Sequence, residues 1–119
     1  MLSRVYRLKK NSAFTATYKV KNSFYFNGVA VFVGLKKKNF DDVTKVGFVV
    51  SKKTHKRAVQ RNRLKRLMRE SYRLMLKSNN LGNPNMYMSL IFVGHEKALG
   101  KPFSEIQSTM EALIAKIND

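Results

Sequence analysis

The order of hydrophobic patterns predicts an α+β chain: a helix, three strands, a long basic helix, a fourth strand and a closing helix. Three observations carry that prediction. Bulky and small residues alternate with a period of two over 45–51, and apolar residues recur at helical spacing over 57–77 and 102–117. Between two short apolar runs stands Asn27-Gly28, the strongest short hairpin signal a sequence offers. The 119 residues suffice for one compact domain, 1–119, with a modest core, and are too few for two ordinary ones.

Met1 to Lys10 reads as a basic arm. Asn11 and Ser12 offer N-cap oxygens for a short helix to about Val20, which places Phe14 and Tyr18 one turn apart on an aromatic edge. Ser23 to Phe26 and Val29 to Lys36 read as the hairpin strands, and a polar loop, 36–42, follows. Along Lys45 to Ser51, Val46, Phe48 and Val50 form a bulky face, while Gly47, Val49 and Ser51 form a small or polar one. This strand feeds directly into a helix from about Arg57 to Lys77, with Leu64, Leu67, Met68, Tyr72 and Met75 as its apolar stripe. A breaker cluster at 78–85 ends it, and a fourth strand is expected from Met86 to Val93. After 94–101, Pro102 or Ser104 opens a last helix that buries Ile106, Met110, Leu113, Ile114 and Ile117.

Charge decides the class of partner. The chain carries 24 Lys and Arg against 7 Asp and Glu, a formal net charge of +17. Such an excess repels itself unless a polyanion neutralises it, so a nucleic acid or an anionic membrane surface is expected. The charge is densest from Ser51 to Arg73, yet the apolar stripe runs through the same stretch, so it is a docked helix and not a loose tail. Arg61, Lys65 and Arg69 then stand one turn apart beside that stripe, flanked by Asn62, Arg66 and Arg73. Arg63 lies away from Arg61 and on the side of Glu70, its expected ion-pair partner.

Other chemistries find little support. With no cysteine there is no disulfide, thiol nucleophile or cysteine–zinc site, and His55 and His95 alone give little basis for a metal centre. Asp41, Asp42, Glu70, Glu96, Glu105, Glu111 and Asp119 are scattered, so no catalytic residue and no metal ligand is assigned; Asp41-Asp42 could bind magnesium, but an exposed loop pair is more often simply solubilising. The longest apolar run, Val29 to Leu35, is far short of the roughly 20 residues that span a bilayer. Met1 to Lys10 lacks an apolar signal core, and a cytoplasmic setting without a membrane partner is expected.

Ser51-Lys52-Lys53 at a strand end, then Arg61-Asn62-Arg63, then Lys65 to Glu70 on the following helix, resemble the signature of bacterial ribonuclease P protein subunits. The opening Arg7 to Phe14, with Tyr18 four residues on, also looks like that family, so the resemblance covers nearly the whole chain. It implies a single-domain αβββαβα sandwich with a four-stranded sheet and a left-handed crossover between strands three and four, similar to a domain of a small-subunit ribosomal protein. It further implies that Arg57, Arg61, Asn62, Arg63, Lys65, Arg66 and Arg69 meet a catalytic RNA. A cleft lined by Phe14, Tyr18, Ala30, Phe32, Val49, Ser51, Lys52 and Lys53 would hold the single-stranded leader of precursor tRNA.

Residue chemistry suits both roles. Arginine donates bidentate hydrogen bonds to phosphate and stays charged, and the helix N-terminus adds its dipole. Aromatic rings hold single strands by stacking, each base contributing about 1–3 kcal/mol. Spacing alone also allows Phe14 and Phe32 to be core, and Asn62 to brace the preceding loop instead of meeting RNA. In the family the RNA subunit holds the magnesium ions that hydrolyse the phosphodiester, and the protein widens substrate recognition and lowers the magnesium requirement. The expected partners are therefore the catalytic RNA and precursor tRNA, with no obligate protein partner and no protein-bound cofactor.

Two departures stand out: Thr54-His55-Lys56-Arg57 replaces a Gly-containing loop, and Gly94-His95 stands where relatives often carry Lys or Arg. A basic ribosomal or other structural RNA-binding protein is the alternative, sharing fold and charge but lacking the Arg-Asn-Arg signature. A magnesium-dependent nuclease acting alone would need clustered carboxylates.

Overall fold

Asn27 and Gly28 take positive φ values of 51° and 94°, the left-handed geometry that a two-residue hairpin turn requires. They join β1 (Asn22–Phe26) to β2 (Val29–Val33), with Phe26 opposite Val29 and Asn22 opposite Val33. The computed structural model describes residues 2, 4–39, 42–54, 56–78 and 86–118. Its other elements are α1 (Asn11–Lys19), β3 (Lys45–Val49), α2 (Ala58–Lys77), β4 (Ser89–Gly94) and α3 (Phe103–Asn118), with 3-10 turns at Arg4–Tyr6 and Glu96–Ala98. The order αβββαβα is the expected one. The strands form one sheet in the order β1-β2-β4-β3, in which β4 runs antiparallel to β2 and parallel to β3.

Alternation gives each strand two faces. Val29, Val31 and Val33, Leu90 and Phe92, and Val46 and Val50 belong to the side covered by α2 and α3. They are buried with Leu64, Met68, Tyr72 and Met75 of α2 and with Ile106, Met110, Leu113, Ile114 and Ile117 of α3. These are the stripes marked by the sequence, except that Leu67 is only partly buried. Phe48, Tyr72 and Phe92 form the aromatic centre, the Phe48 and Phe92 rings stacking at 5.8 Å.

The crossover from β3 through α2 to β4 is left-handed, against the strong right-handed preference of such units. The N–H of Lys45 donates to the carbonyl of Met88 at 3.0 Å, so Lys45 turns its peptide edge toward β4. Its side chain lies on the α1 face, because the adjacent Val46 is in the core on the other. An L-residue in a strand that runs upward, side chain toward the viewer, points its N–H and C=O to the right. Hence β4 lies right of β3 seen from α1, and left of it seen from α2, the side on which the chain crosses.

Several boundaries differ from the sequence reading. β2 stops at Val33 and β4 starts at Ser89, because the intervening residues meet only through single links such as Gly34 N–H to Ser89 O at 2.8 Å and an isolated bridge between Lys36 and Tyr87. β3 ends at Val49, and α3 starts after Pro102, whose carbonyl accepts from Glu105 and Ile106 N–H. Asn11 and Ser12 do not cap α1. They are its first two residues, and the N-cap is Lys10, which makes no side-chain cap bond. Arg57 likewise precedes α2 as the N-cap and makes no side-chain cap bond to the helix N-terminus. The basic arm is stitched to the sheet edge: Leu8 N–H donates to Val46 O at 2.9 Å, and Leu2 is buried in the core. Phe40, Asp41, His55 and most of the expected breaker cluster, 79–85, lie outside the described residues.

Phe92 is fully buried at the centre of the aromatic group. Phe92→Ala should lower unfolding free energy by about 3–5 kcal/mol, read as an earlier midpoint in urea denaturation.

Candidate nucleic-acid interface

Burial of Leu64, Met68, Ser71, Tyr72 and Met75 fixes the rotation of α2 and so sorts its basic residues into three groups. Asn62 and Arg66 lie on the exposed face, neither with a hydrogen bond or ion pair among the described residues. Arg61, Lys65 and Arg69 run beside it, half-buried along the flank. The Arg61 guanidinium donates to Lys56 O at 2.8 Å, which ties the start of α2 to the loop before it. Arg69 lies 5.9 Å above the Phe48 ring, and partial burial together with the nearby Arg7 holds its pKa below the usual arginine value. A cation placed against another cation in this way favours an anion between them.

Arg63 and Arg73 are engaged internally. Arg63 does not pair with Glu70. It reaches across to α3 and donates to Lys101 O at 3.0 Å, while Glu70 takes two hydrogen bonds from Arg73, at 2.6 and 3.0 Å. Seven positions is two full turns along a helix, a longer reach than the one turn separating Glu70 from Arg73. Those Arg73 hydrogen bonds hold the Glu70 carboxyl below the usual carboxylate range. Among the described residues Asn62 makes no brace to the preceding loop, and Arg61 does so through Lys56 O. Arg57 is exposed beside the N-terminus of α2, where the peptide dipole also favours anions.

Among the described residues, α1 and Leu8 of the arm pack on the other face of the sheet. Phe14 sits on Gly47 so closely that a Cβ there would be 2.6 Å from its ring, which is why this strand position is glycine. Tyr18 meets Phe32 edge to face with ring centroids 4.8 Å apart. Thr17, buried between them, joins its hydroxyl to that of Ser89 at 2.6 Å. Phe14, Tyr18 and Phe32 therefore form one aromatic group over the sheet, each ring retaining exposed surface, and none enters the core formed with α2 and α3. Partial burial raises the Tyr18 pKa, so this side chain stays a neutral phenol.

Beyond Phe32 the face is uncovered. Register places Tyr25, Ala30, Val93 and Val49 in one row across the four strands. Ala30 is buried, Val49 and Val93 are half-buried, and Ser51, Lys52 and Lys53 stand exposed at the strand-to-helix corner. Of the predicted cleft residues, Phe14, Tyr18, Ala30, Phe32 and Val49 share one face, while Ser51, Lys52 and Lys53 stand beyond the end of β3, Ser51 meeting Thr54 through a 3.2 Å hydroxyl contact. The same register turns Ser89, Ile91 and Val93 of the fourth strand toward the α1 side, and of these Val93 lies in the row beyond Phe32. Sequence reading missed Tyr25, the exposed end of this row, because Phe24-Tyr25-Phe26 shows no preference of face. It also missed a basic recess of about 250 Å³ among Arg4, Arg7, Lys9, Lys10 and Lys45, which exists only because the arm folds back on β3.

A basic helix on one side of an α+β sheet, with a lysine-bearing corner and an aromatic group on the other, defines an RNA-binding protein. A family model described as Ribonuclease P matches residues 2–118. A ribonuclease P protein component of Clostridium kluyveri is 41% identical over 112 residues, covering 94% of each chain. That of Alkaliphilus oremlandii is 35% identical over 117 residues, covering 98% of this chain and 95% of its own. The solved RNase P protein of Staphylococcus aureus superposes with a TM-score of 0.75 at 28% identity, over 96% of this chain and 98% of that one. The chain belongs to the ribonuclease P protein family.

The sorting of arginines predicts different stability effects. Arg63→Ala removes a charged hydrogen bond between α2 and the start of α3 and should cost about 1 kcal/mol, whereas Arg66→Ala should stay within about 0.5 kcal/mol, both read by urea denaturation. Glu70 has a depressed folded pKa, so its contribution is present above the ordinary carboxylate pKa and is lost as pH falls through the folded value. The stability difference between wild type and Glu70→Gln should therefore shrink on acidification.

Proposed function

We propose that this protein binds the catalytic RNA of ribonuclease P through α2 and the leader of precursor tRNA through the groove under α1. As a ribonuclease P protein component it is the RNA-binding subunit of an endoribonuclease of tRNA 5′ processing. The observation that carries the two-surface reading is the separation of the two residue sets. Arg61, Asn62, Lys65, Arg66 and Arg69 lie on α2, while Phe14, Tyr18 and Phe32 lie on the opposite face of the sheet.

Each surface has a mechanism. Phosphates settle against the guanidinium groups of Arg61, Arg66 and Arg69 and release condensed counterions, so binding falls steeply with salt. In the groove, unpaired bases stack on the aromatic group while Lys52 and Lys53 attract their phosphates, a combination that tolerates many leader sequences. A +17 protein between two polyanions reduces their mutual repulsion, which is how it would lower the magnesium needed for assembly. We assign the magnesium ions and the hydrolytic step to the RNA, and to the protein only binding and positioning. Its Glu70 and Glu105 are occupied by Arg73 and Lys101. We place this work in the cytoplasm; no helix among the described residues is long and apolar enough to cross a membrane.

The test combines purified protein, a bacterial ribonuclease P RNA and 5′-extended precursor tRNA at low magnesium, omitting each in turn. Cleavage should require both protein and RNA. Tight RNA binding without rescue would favour a structural RNA-binding role, and cleavage by protein alone would place chemistry on its acids. Arg66→Ala should weaken RNA binding about fivefold or more and flatten its salt dependence, while Phe32→Ala should mainly weaken precursor with a long leader. Equal losses from both substitutions in both assays would defeat the division into two surfaces.

A further inference from the structure

We infer that Tyr25 and His95 form a second base-stacking platform, which extends the leader groove beyond the Phe14, Tyr18 and Phe32 group; this rests on the leader-groove reading above. Tyr25 lies on β1, directly opposite Ala30, and so faces the same side as Phe32. It is 53% exposed, although a tyrosine on a hairpin strand could have been turned into the core as Phe24 is. The His95 ring tilts against it, with centroids 5.8 Å apart. The His95 backbone is fixed where β4 ends, its N–H donating to Gly28 O at 2.8 Å, so both rings are carried by the sheet and the hairpin turn, not by a free loop.

Position favours a single strand as the occupant. Tyr25 and Phe32 are diagonal neighbours across an antiparallel pair, about 7–8 Å apart at their backbones. The interval is within the reach of an extended nucleotide chain passing from one ring to the next. Between them the floor is Ala30 and Val93, side chains too small to obstruct a backbone. Cations border the path at one corner, where Lys52 and Lys53 are exposed. An exposed aromatic pair, continuous with an aromatic groove and bordered by lysines, matches a chain of bases and phosphates. A flat apolar protein partner would instead leave these lysines desolvated without counter-charges.

The platform also gives a physical meaning to His95. A cation following the last strand would hold a phosphate; an imidazole beside a phenol offers a stacking surface instead. The leader nucleotide that reaches this point would therefore be held by its base.

The experiment measures precursor binding by protein assembled with a bacterial ribonuclease P RNA, over leaders lengthened one nucleotide at a time. In wild type, affinity should rise again when the leader grows long enough to reach Tyr25. In Tyr25→Ala this later gain, about fivefold or more, should be lost, and Tyr25→Phe should restore it. An abasic nucleotide at the threshold position should remove the gain in wild type. If Phe32→Ala weakens binding while Tyr25→Ala keeps the full gain at every length, the extension is wrong and the groove stands. If neither substitution matters at any leader length, the groove reading and its extension both fall. Circular dichroism and binding to the catalytic RNA alone confirm that each variant is folded.

Discussion

One helix cannot cover a face of four strands. A helix is about 10 Å across, and two adjacent rows of side chains on a sheet occupy nearly that width. On the core side α2 and α3 share the task, and the face is sealed by their apolar stripes. On the other side α1 has nine residues and lies across the sheet, with Phe14 over β3, Thr17 against β4 and Tyr18 against β2. It covers the rows of Gly47, Ile91 and Phe32 and of Lys45 and Ser89, and leaves that of Tyr25, Ala30, Val93 and Val49 as a groove. The features of the α1 side follow from this mismatch between helix and sheet. The glycine lets Phe14 come close, the small residues keep the floor open, and the rings at the rim keep part of their surface exposed.

The positive charge is organised by the same packing. Arg63 and Arg73 are occupied by Lys101 O and Glu70, so they hold α2 against α3 and against itself. Arg69 is braced over Phe48 and lies near Arg7 of the arm, while Arg66 faces outward. A dense basic run is thus divided between internal contacts and an outward surface that only a polyanion can neutralise. The arm takes part because Leu2 and Leu8 are buried, which brings Arg4 and Arg7 to the edge of β3 beside Lys45.

The left-handed crossover links the two surfaces. Because β3 passes almost directly into α2, the Ser51–Lys53 corner lies between the end of a sheet strand and the approach to the basic helix. An RNA lying along α2 and a single strand lying on the sheet would meet at this corner.

The element order, the hairpin, both apolar stripes and the basic helix were legible in the sequence, because each is written in local periodicity or turn chemistry. Phe14, Tyr18 and Phe32 could be named as a group only through the family resemblance, since spacing does not say which layer an aromatic joins. Strand ends, helix caps and the partner of Arg63 were decided by tertiary structure. Arg63 found a backbone carbonyl 38 residues away, which no helical periodicity encodes. Tyr25 and His95, 70 positions apart in the chain, were brought together only by the register of β1, β2 and β4. Register is a property of paired strands, and a single strand's sequence carries only half of it.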